Sequence, residues 1–214
     1  MTIRHHLSDS LLMAYSAAQL PEAFNLITAA HLSMCDDCRA RLGAFDAIGG
    51  AMIEDTAPKP LGDDCLSATL ARICGTPPGP HVPYTRHNGL LPAPLHDYIG
   101  GGLDAVKWRS LGMGVRQAIL PTSRGAIARL LYIPAGQNVP DHGHRGLELT
   151  LVLQGAFRDE TDRFAKGDIE IADEALNHKP VAESGQDCIC LAATDAPLRF
   201  NSLLPRLAQP FFRI

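Results

Sequence analysis

The sequence is poor in several things, and each shortage excludes something. There is no basic excess: 19 Lys and Arg face 23 Asp and Glu, a net charge of −4, so the chain lacks the electrostatic footprint of a nucleic-acid or anionic-membrane binder. No apolar run reaches the roughly 18 residues of a membrane-crossing helix. The opening Met1-Thr2-Ile3-Arg4-His5-His6-Leu7-Ser8-Asp9 lacks the apolar centre of an export signal, and a cytoplasmic protein is expected. Aromatic residues are only 6% of the 214, with one tryptophan. Six cysteines, at 35, 38, 65, 74, 188 and 190, are too few for a disulfide scaffold at this length. In a reducing compartment their close spacing points first to metal or redox chemistry. Against these shortages stands a hydrophobic content of 46%, enough for a sizeable core.

Proline and glycine concentrate between the two halves of the chain. Residues 75–102 contain six of each, a composition that reads as a linker or irregular wrap. Residues 1–78 are expected to form an all-α domain. Ser8 or Ser10 caps a first helix, Pro21 opens a second, a third starts near Asp36, and Asp63 or Asp64 caps a fourth that Gly75 closes. The first 75 residues hold 5 basic and 9 acidic side chains, so the whole negative excess lies there. Residues 79–102 are expected as linker, 103–196 as an all-β domain, and 197–214 as a C-terminal segment. The β assignment rests on short strand-like runs (106–111, 115–120, 126–133, 147–154, 156–161, 168–172 and 188–193) between Gly, Pro and Asp turns, the pattern of a small barrel or sandwich.

Two constellations carry chemistry. The first is His31-x3-Cys35-x2-Cys38, a nitrogen and sulfur donor set of the kind zinc takes tetrahedrally. One straight helix would spread the outer ligands over about 10 Å along its axis, too far for a shared ion. A break is therefore expected between His31 and Cys38, with Ser33 or Cys35 ending one helix and starting the next. The thiols then sit near a helix N-terminus, where the dipole favours thiolate. A fourth ligand must come from elsewhere. His5 and His6 both precede the first helix, and His6 is chosen because Leu7 and the cap follow it directly. The competing reading is a pair of core or redox thiols beside a surface histidine.

The second constellation is Gly136-x5-His142-x-His144-x3-Glu148-x6-Gly155, joined by His178 beyond Gly167-Asp168. Residues two apart on a strand point the same way, so His142 and His144 can face one point, and Glu148 keeps that phase if the Arg145-Gly146 turn preserves register. Imidazoles with one carboxylate suit zinc, manganese, iron, nickel or copper.

The pattern His6-x24-His31-x3-Cys35-x2-Cys38 in a short acidic helical segment resembles the zinc-containing anti-sigma domain, and the resemblance also points to His6 as the fourth ligand. The second array resembles the cupin barrel motif. Its second half is matched only by Gly167 and His178, since Lys179 follows the histidine where many cupins have asparagine. The two in tandem resemble the ChrR-type anti-sigma factors over nearly the whole chain. The resemblance implies a helical domain with zinc that clamps an extracytoplasmic-function sigma factor of sigma-E type, 1:1. It also implies a cupin holding zinc (or manganese, iron or nickel) that is needed for release under singlet oxygen or organic peroxide. No catalytic residue is assigned. The alternative is a metal-dependent cupin enzyme, a dioxygenase or isomerase, with an accessory zinc domain.

Leu11, Leu12, Tyr15, Leu42, Phe45 and Met52 are the apolar helix positions offered as sigma contacts, since a clamp must leave apolar surface for its partner. Cys188 and Cys190 share one strand face and are read as packed thiols, or as a redox pair near the cupin metal. Cys65 and Cys74 are read as core.

Overall fold

The computed structural model describes residues 2–76 and 89–201. Four helices come first: α1 (Asp9–Ser16), α2 (Glu22–Leu32), α3 (Asp36–Glu54) and α4 (Cys65–Gly75). Ser8 caps α1 by accepting a hydrogen bond from the Leu11 amide, and Pro21 stands at the N-cap of α2. The expected break falls where ligand reach requires it. α2 ends at Leu32, and Cys35 adopts extended backbone and caps α3, its Sγ accepting from the Cys38 amide. Gly75 is the last helical residue of α4 rather than the residue beyond it.

Part of the stretch expected as linker is folded. Residues 79–88 of it lie outside the described residues, but Leu91 and Leu95 are buried against α2. A 3-10 turn over Ala93–Leu95 leads into a single helical turn, α5 (His96–Ile99). The Tyr98 hydroxyl donates to Glu22 on α2. Proline and glycine here shape a wrap that follows the helices, a use that composition cannot separate from a free linker. Of the C-terminal segment, 202–214 lie outside the described residues.

Twelve antiparallel strands follow among the described residues: β1 (Arg109–Gly112), β2 (Val115–Ile119), β3 (Ile127–Ile133), β4 (His142–Gly143), β5 (Glu148–Gln154), β6 (Ala156–Arg158), β7 (Arg163–Ala165), β8 (Ile169–Ala172), β9 (Asn177–His178), β10 (Val181–Ala182), β11 (Cys188–Thr194) and β12 (Arg199–Phe200). They form a six-stranded sheet ordered β1-β2-β3-β11-β5-β8 and two three-stranded sheets, β10-β6-β7 and β12-β4-β9. The long strands match the expected ones to within a few residues. The two-residue strands were not legible, being too short to show alternation.

Period-2 alternation sorts the central strands. Leu149, Leu151 and Leu153 on β5, with Ile189, Leu191 and Ala193 on β11, join the apolar cluster that contains Phe24, Ile27 and Ala30 of α2. The opposite faces carry Glu148, Thr150 and Val152, and Cys188, Cys190 and Ala192. Every residue of β11 is buried, because helices cover one face and β domain the other. The helical and β regions thus share a core. α4 is the reverse: no residue of it is buried, and Cys65 and Cys74, expected in the core, are half-buried and exposed. Its apolar spacing has no covering element among the described residues.

Two glycines of the second motif separate conformational from steric need. Gly136 and Gly155 have φ of +75° and +70°, but a Cβ at 136 meets open space whereas one at 155 would lie 2.7 Å from the Asp187 carbonyl oxygen. Gly136→Ala should therefore cost about 1–2 kcal/mol, the left-handed penalty alone. Gly155→Ala should cost at least about 2 kcal/mol more, because backbone must shift. Denaturant unfolding of the two variants checks this, and equal losses would contradict it.

Candidate metal centres

The helical break gathers four donors. Ligand atoms of His6, His31, Cys35 and Cys38 all lie within 4.8 Å of one another. His31 Nε2 is 3.3 Å from Cys38 Sγ, and His6 Nδ1 is 3.3 Å from Cys35 Sγ and 3.6 Å from Cys38 Sγ. His5 is not among them. It points to the β domain, with Nε2 3.0 Å from Asp162. His31 is fully buried, and burial lowers its pKa to about 4, so it is a neutral imidazole. Its Nδ1 donates to the Gly167 carbonyl at 3.0 Å, which leaves a bare Nε2 lone pair facing the thiols. At Cys38 burial outweighs the Leu7 backbone hydrogen bond and the Arg41 charge, raising the thiol to about 11, the reverse of the expected direction. Two sulfurs and two imidazole nitrogens at this spacing could hold a tetrahedral ion, and a cation would supply the charge that a buried thiolate needs.

The second cluster brings together His142, His144 and His178, all buried, from β4, the β4–β5 turn and β9. β4 and β9 pair with His142 opposite His178. His142 Nδ1 donates to the Pro140 carbonyl at 2.8 Å. His178 Nδ1 lies 2.9 Å from Asp159 and 3.1 Å from Glu170. Both rings therefore direct Nε2 inward, and those two atoms are 3.2 Å apart, with His144 Nε2 3.3 Å from His178 Nε2. Converging lone pairs repel unless a proton or a cation lies between them. Glu148 flanks the trio, its Oε2 3.6 Å from His144 Nδ1, and both atoms are buried without a hydrogen-bond partner. Orphaned polar atoms beside inward-facing imidazoles fit a metal ion. The cluster forms part of the wall of a cavity of about 340 Å³, whose apolar lining includes Leu131, Phe157 and Phe200.

Asp159 and Glu170 are functional candidates that sequence spacing did not reveal. Burial holds the Glu170 carboxyl up to about 7. At His178 burial opposes protonation, but hydrogen bonds and charge from Glu170 and Asp159 prevail and raise it to about 9. The one available signal was Glu170 between two isoleucines, a carboxylate in an apolar run. Cys188 and Cys190 have sulfurs 3.5 Å apart and pack with Val152, Phe157 and Phe164, in keeping with packed thiols. Their mutual contact and burial raise the Cys190 pKa.

Of the apolar positions offered as sigma contacts, Leu11 and Leu12 are corrected: they are buried beneath α1 in the core and present no surface. Tyr15, Leu42 and Phe45 are half-buried against the same core, and Met52 is 69% exposed. The helical periodicity that marks a partner face marks a core face equally well.

A helical region with uncovered apolar helices, sealed onto a cupin-like β domain, is the build of a regulator that binds another protein. Residues 99–197 match the family model described as the ChrR cupin-like domain. The chain is 66% identical to the anti-sigma-E factor ChrR of Cereibacter sphaeroides over the full length of both. The structure is similar to that of Rhodobacter sphaeroides SigE in complex with the anti-sigma ChrR, with a TM-score of 0.81 and 62% identity over 91% of this chain and 100% of that one. The chain belongs to the ChrR family of anti-sigma factors. Among the described residues no helix is long and apolar enough to cross a membrane.

The raised His178 and Glu170 pKa values fix a sign. A group whose pKa is higher folded than unfolded adds stability below its unfolded value and loses it as pH rises through the folded one. For His178 that window runs from 6.5 to about 9, and Glu170 acts in the same direction from 4.5 to about 7. After chelator treatment, stability to urea should fall between pH 6.5 and 9, and His178→Gln should flatten that fall.

Proposed function

We propose that the chain inhibits one sigma factor of sigma-E type by holding it 1:1, with residues 1–78 as the clamp and the β domain, closed as a cupin barrel, as the sensor. The observation that carries this reading is the uncovered apolar surface of α3 and α4. Ile48, Met52 and Ile53 on α3, and Leu66, Leu70 and Ile73 on α4, are each at least 50% exposed. Leu66, Leu70 and Ile73 recur at i, i+4 and i+7, one stripe of a helix with no core of its own. Such a stripe is what a partner covers. The SigE complex of the R. sphaeroides relative supports the same partner here. The net negative charge of the first 75 residues suits a basic, DNA-binding protein and offers nothing to DNA itself. Such a partner acts in the cytoplasm, which is where we place the chain.

His6, His31, Cys35 and Cys38 are assigned to a structural zinc, whose softness and tetrahedral preference match two sulfurs and two nitrogens. The ion fastens the residues before α1 to the α2–α3 junction, from which α3 projects its apolar end. His142, His144, Glu148 and His178 are assigned to the sensor's ion, zinc or else manganese, iron or nickel. Release under singlet oxygen or organic peroxide is assigned to the sensor.

Changing Leu66, Leu70 and Ile73 together to Asp should weaken sigma binding at least about 100-fold, the scale of a few lost hot spots. Melting should barely move, because exposed substitutions cost about 0.5 kcal/mol or less. Titration calorimetry and thermal melts of the full chain measure both, and unchanged affinity would refute the clamp. Cys38→Ser or His31→Ala should lose one of two metal equivalents by elemental analysis and abolish inhibition. His144→Ala or Glu148→Ala should lose the other equivalent, keep sigma binding, and fail to release the sigma factor under singlet oxygen or organic hydroperoxide.

A further inference from the structure

One turn of the β domain touches the outer shells of both clusters. The Gly167 carbonyl accepts from Nδ1 of His31, a donor of the first cluster, at 3.0 Å. The next residue, Asp168, is buried, and its Oδ1 accepts from the amides of Arg4 at 2.6 Å and His5 at 3.1 Å, the two residues before His6. Its Oδ2 accepts from the Ala165 amide at 2.9 Å and lies 3.6 Å from His5 Nδ1. The Ile169 amide donates back to the His5 carbonyl at 3.3 Å. Glu170 then reaches the other way, 3.1 Å from Nδ1 of His178 in the second cluster. Extended backbone advances about 3.3 Å per residue, so Asp168 and Glu170 are about 7 Å apart along one strand.

The turn has no slack. Gly167 has φ +91°, and a Cβ there would lie 2.7 Å from Ile3 Cγ1 and 3.7 Å from Met34 Cε. The residues flanking the thiol cluster on both sides are thus seated on it. None of Gly167, Asp168 and Glu170 belongs to either donor set assigned above. Their groups set the tautomer and orientation of rings that do, and outer-shell partners of this kind carry about 10–100-fold in metal affinity.

We infer that Gly167–Glu170 couples the two centres, so that filling one tightens the other. This rests on reading both clusters as metal centres. An ion held by His178 Nε2 fixes the Nδ1 hydrogen on the carboxylate side and so fixes Glu170 and the start of β8. That segment in turn holds the Gly167 carbonyl against His31 and the Asp168 carboxylate against the backbone that delivers His6. Without the ion, only a shared proton holds the Nε2 atoms of His142 and His178 together at 3.2 Å, so the ring that anchors Glu170 is itself tied to fewer partners. Coupling between binding sites is reciprocal, so the thiol centre biases the histidine centre by the same factor.

The experiment uses the full chain and cobalt(II), whose thiolate charge-transfer absorption reports the Cys35 and Cys38 centre alone. Cobalt affinity there, set against a competing chelator, is measured with the histidine centre filled with zinc and with it emptied by Glu148→Ala. About a tenfold weaker affinity in the emptied chain is expected, within the usual range of coupling. Asp168→Ala, and the isosteric Asp168→Asn should the first fail to fold, should remove the difference between filled and emptied chains. In the unaltered protein, amide hydrogen exchange at His5 and Ile169 should slow when the histidine centre is filled. Equal affinities with unchanged exchange, or a difference that survives both Asp168 variants, would overturn the coupling alone. Fewer than two metal equivalents in the unaltered chain would overturn the metal reading and the coupling with it.

Discussion

The burial of His31 is the constraint on which the rest of this molecule turns. Its ring is fully buried at the end of α2, and α2 lies on the outer face of β3, β5 and β11. An imidazole in that position must place each nitrogen, because an unmet buried polar atom costs about 1–3 kcal/mol. Nδ1 is met by the Gly167 carbonyl, so Nε2 is committed to the thiols. The helix must then stop at once for Cys35 and Cys38 to turn back, and Ser33 and Cys35 make that stop. The break in the helices and the seating of one region on the other are thus consequences of the same side chain.

From that fixed point the helical region divides in two. α1, α2 and the first turns of α3 share a core with the sheet, whereas the far end of α3 and all of α4 carry apolar residues that nothing among the described residues covers. An uncovered apolar stripe running along one helix is a feature for a partner. The fused half supplies rigidity where donors must converge, and the exposed half supplies adaptable area. The two halves already differ in composition, since every histidine and aromatic residue of residues 1–75 lies in the fused half.

What could be read beforehand was whatever depends on local spacing. The helix break at 33–35 followed from the reach of ligands along an axis, and the nearness of His142 and His144 followed from their spacing of two, although His144 lies in the turn after β4 rather than on a strand. What could not be read depends on contacts between distant residues. Asp168 meets Arg4 and His5 across more than 160 positions, and Glu170 meets His178 through the sheet rather than through any motif. The same limit explains the errors. Leu11 and Leu12 have the periodicity of both core and interface, Cys65 and Cys74 sit on a helix whose stripe faces outward, and a Pro/Gly-rich stretch describes a wrap as well as a linker.

The magnitudes bear on how such an inhibitor could let go. A nanomolar complex is held by about 12 kcal/mol, and each tenfold loss of affinity requires about 1.4 kcal/mol. A shift in the Gly167–Glu170 turn acts through outer-shell hydrogen bonds, and 10–100-fold in metal affinity is about 1.4–2.8 kcal/mol. That is too little to eject a tightly held partner by bending alone. A structural zinc, by contrast, contributes an apparent 10–16 kcal/mol in zinc-finger peptides, the same order as the complex itself. On the proposed metal reading, about 1.4–2.8 kcal/mol is equally too little to expel an ion held that tightly, so the turn can bias release but cannot complete it alone. The seating of His31 and of the backbone before His6 on the Gly167–Glu170 turn gives that bias a short mechanical path.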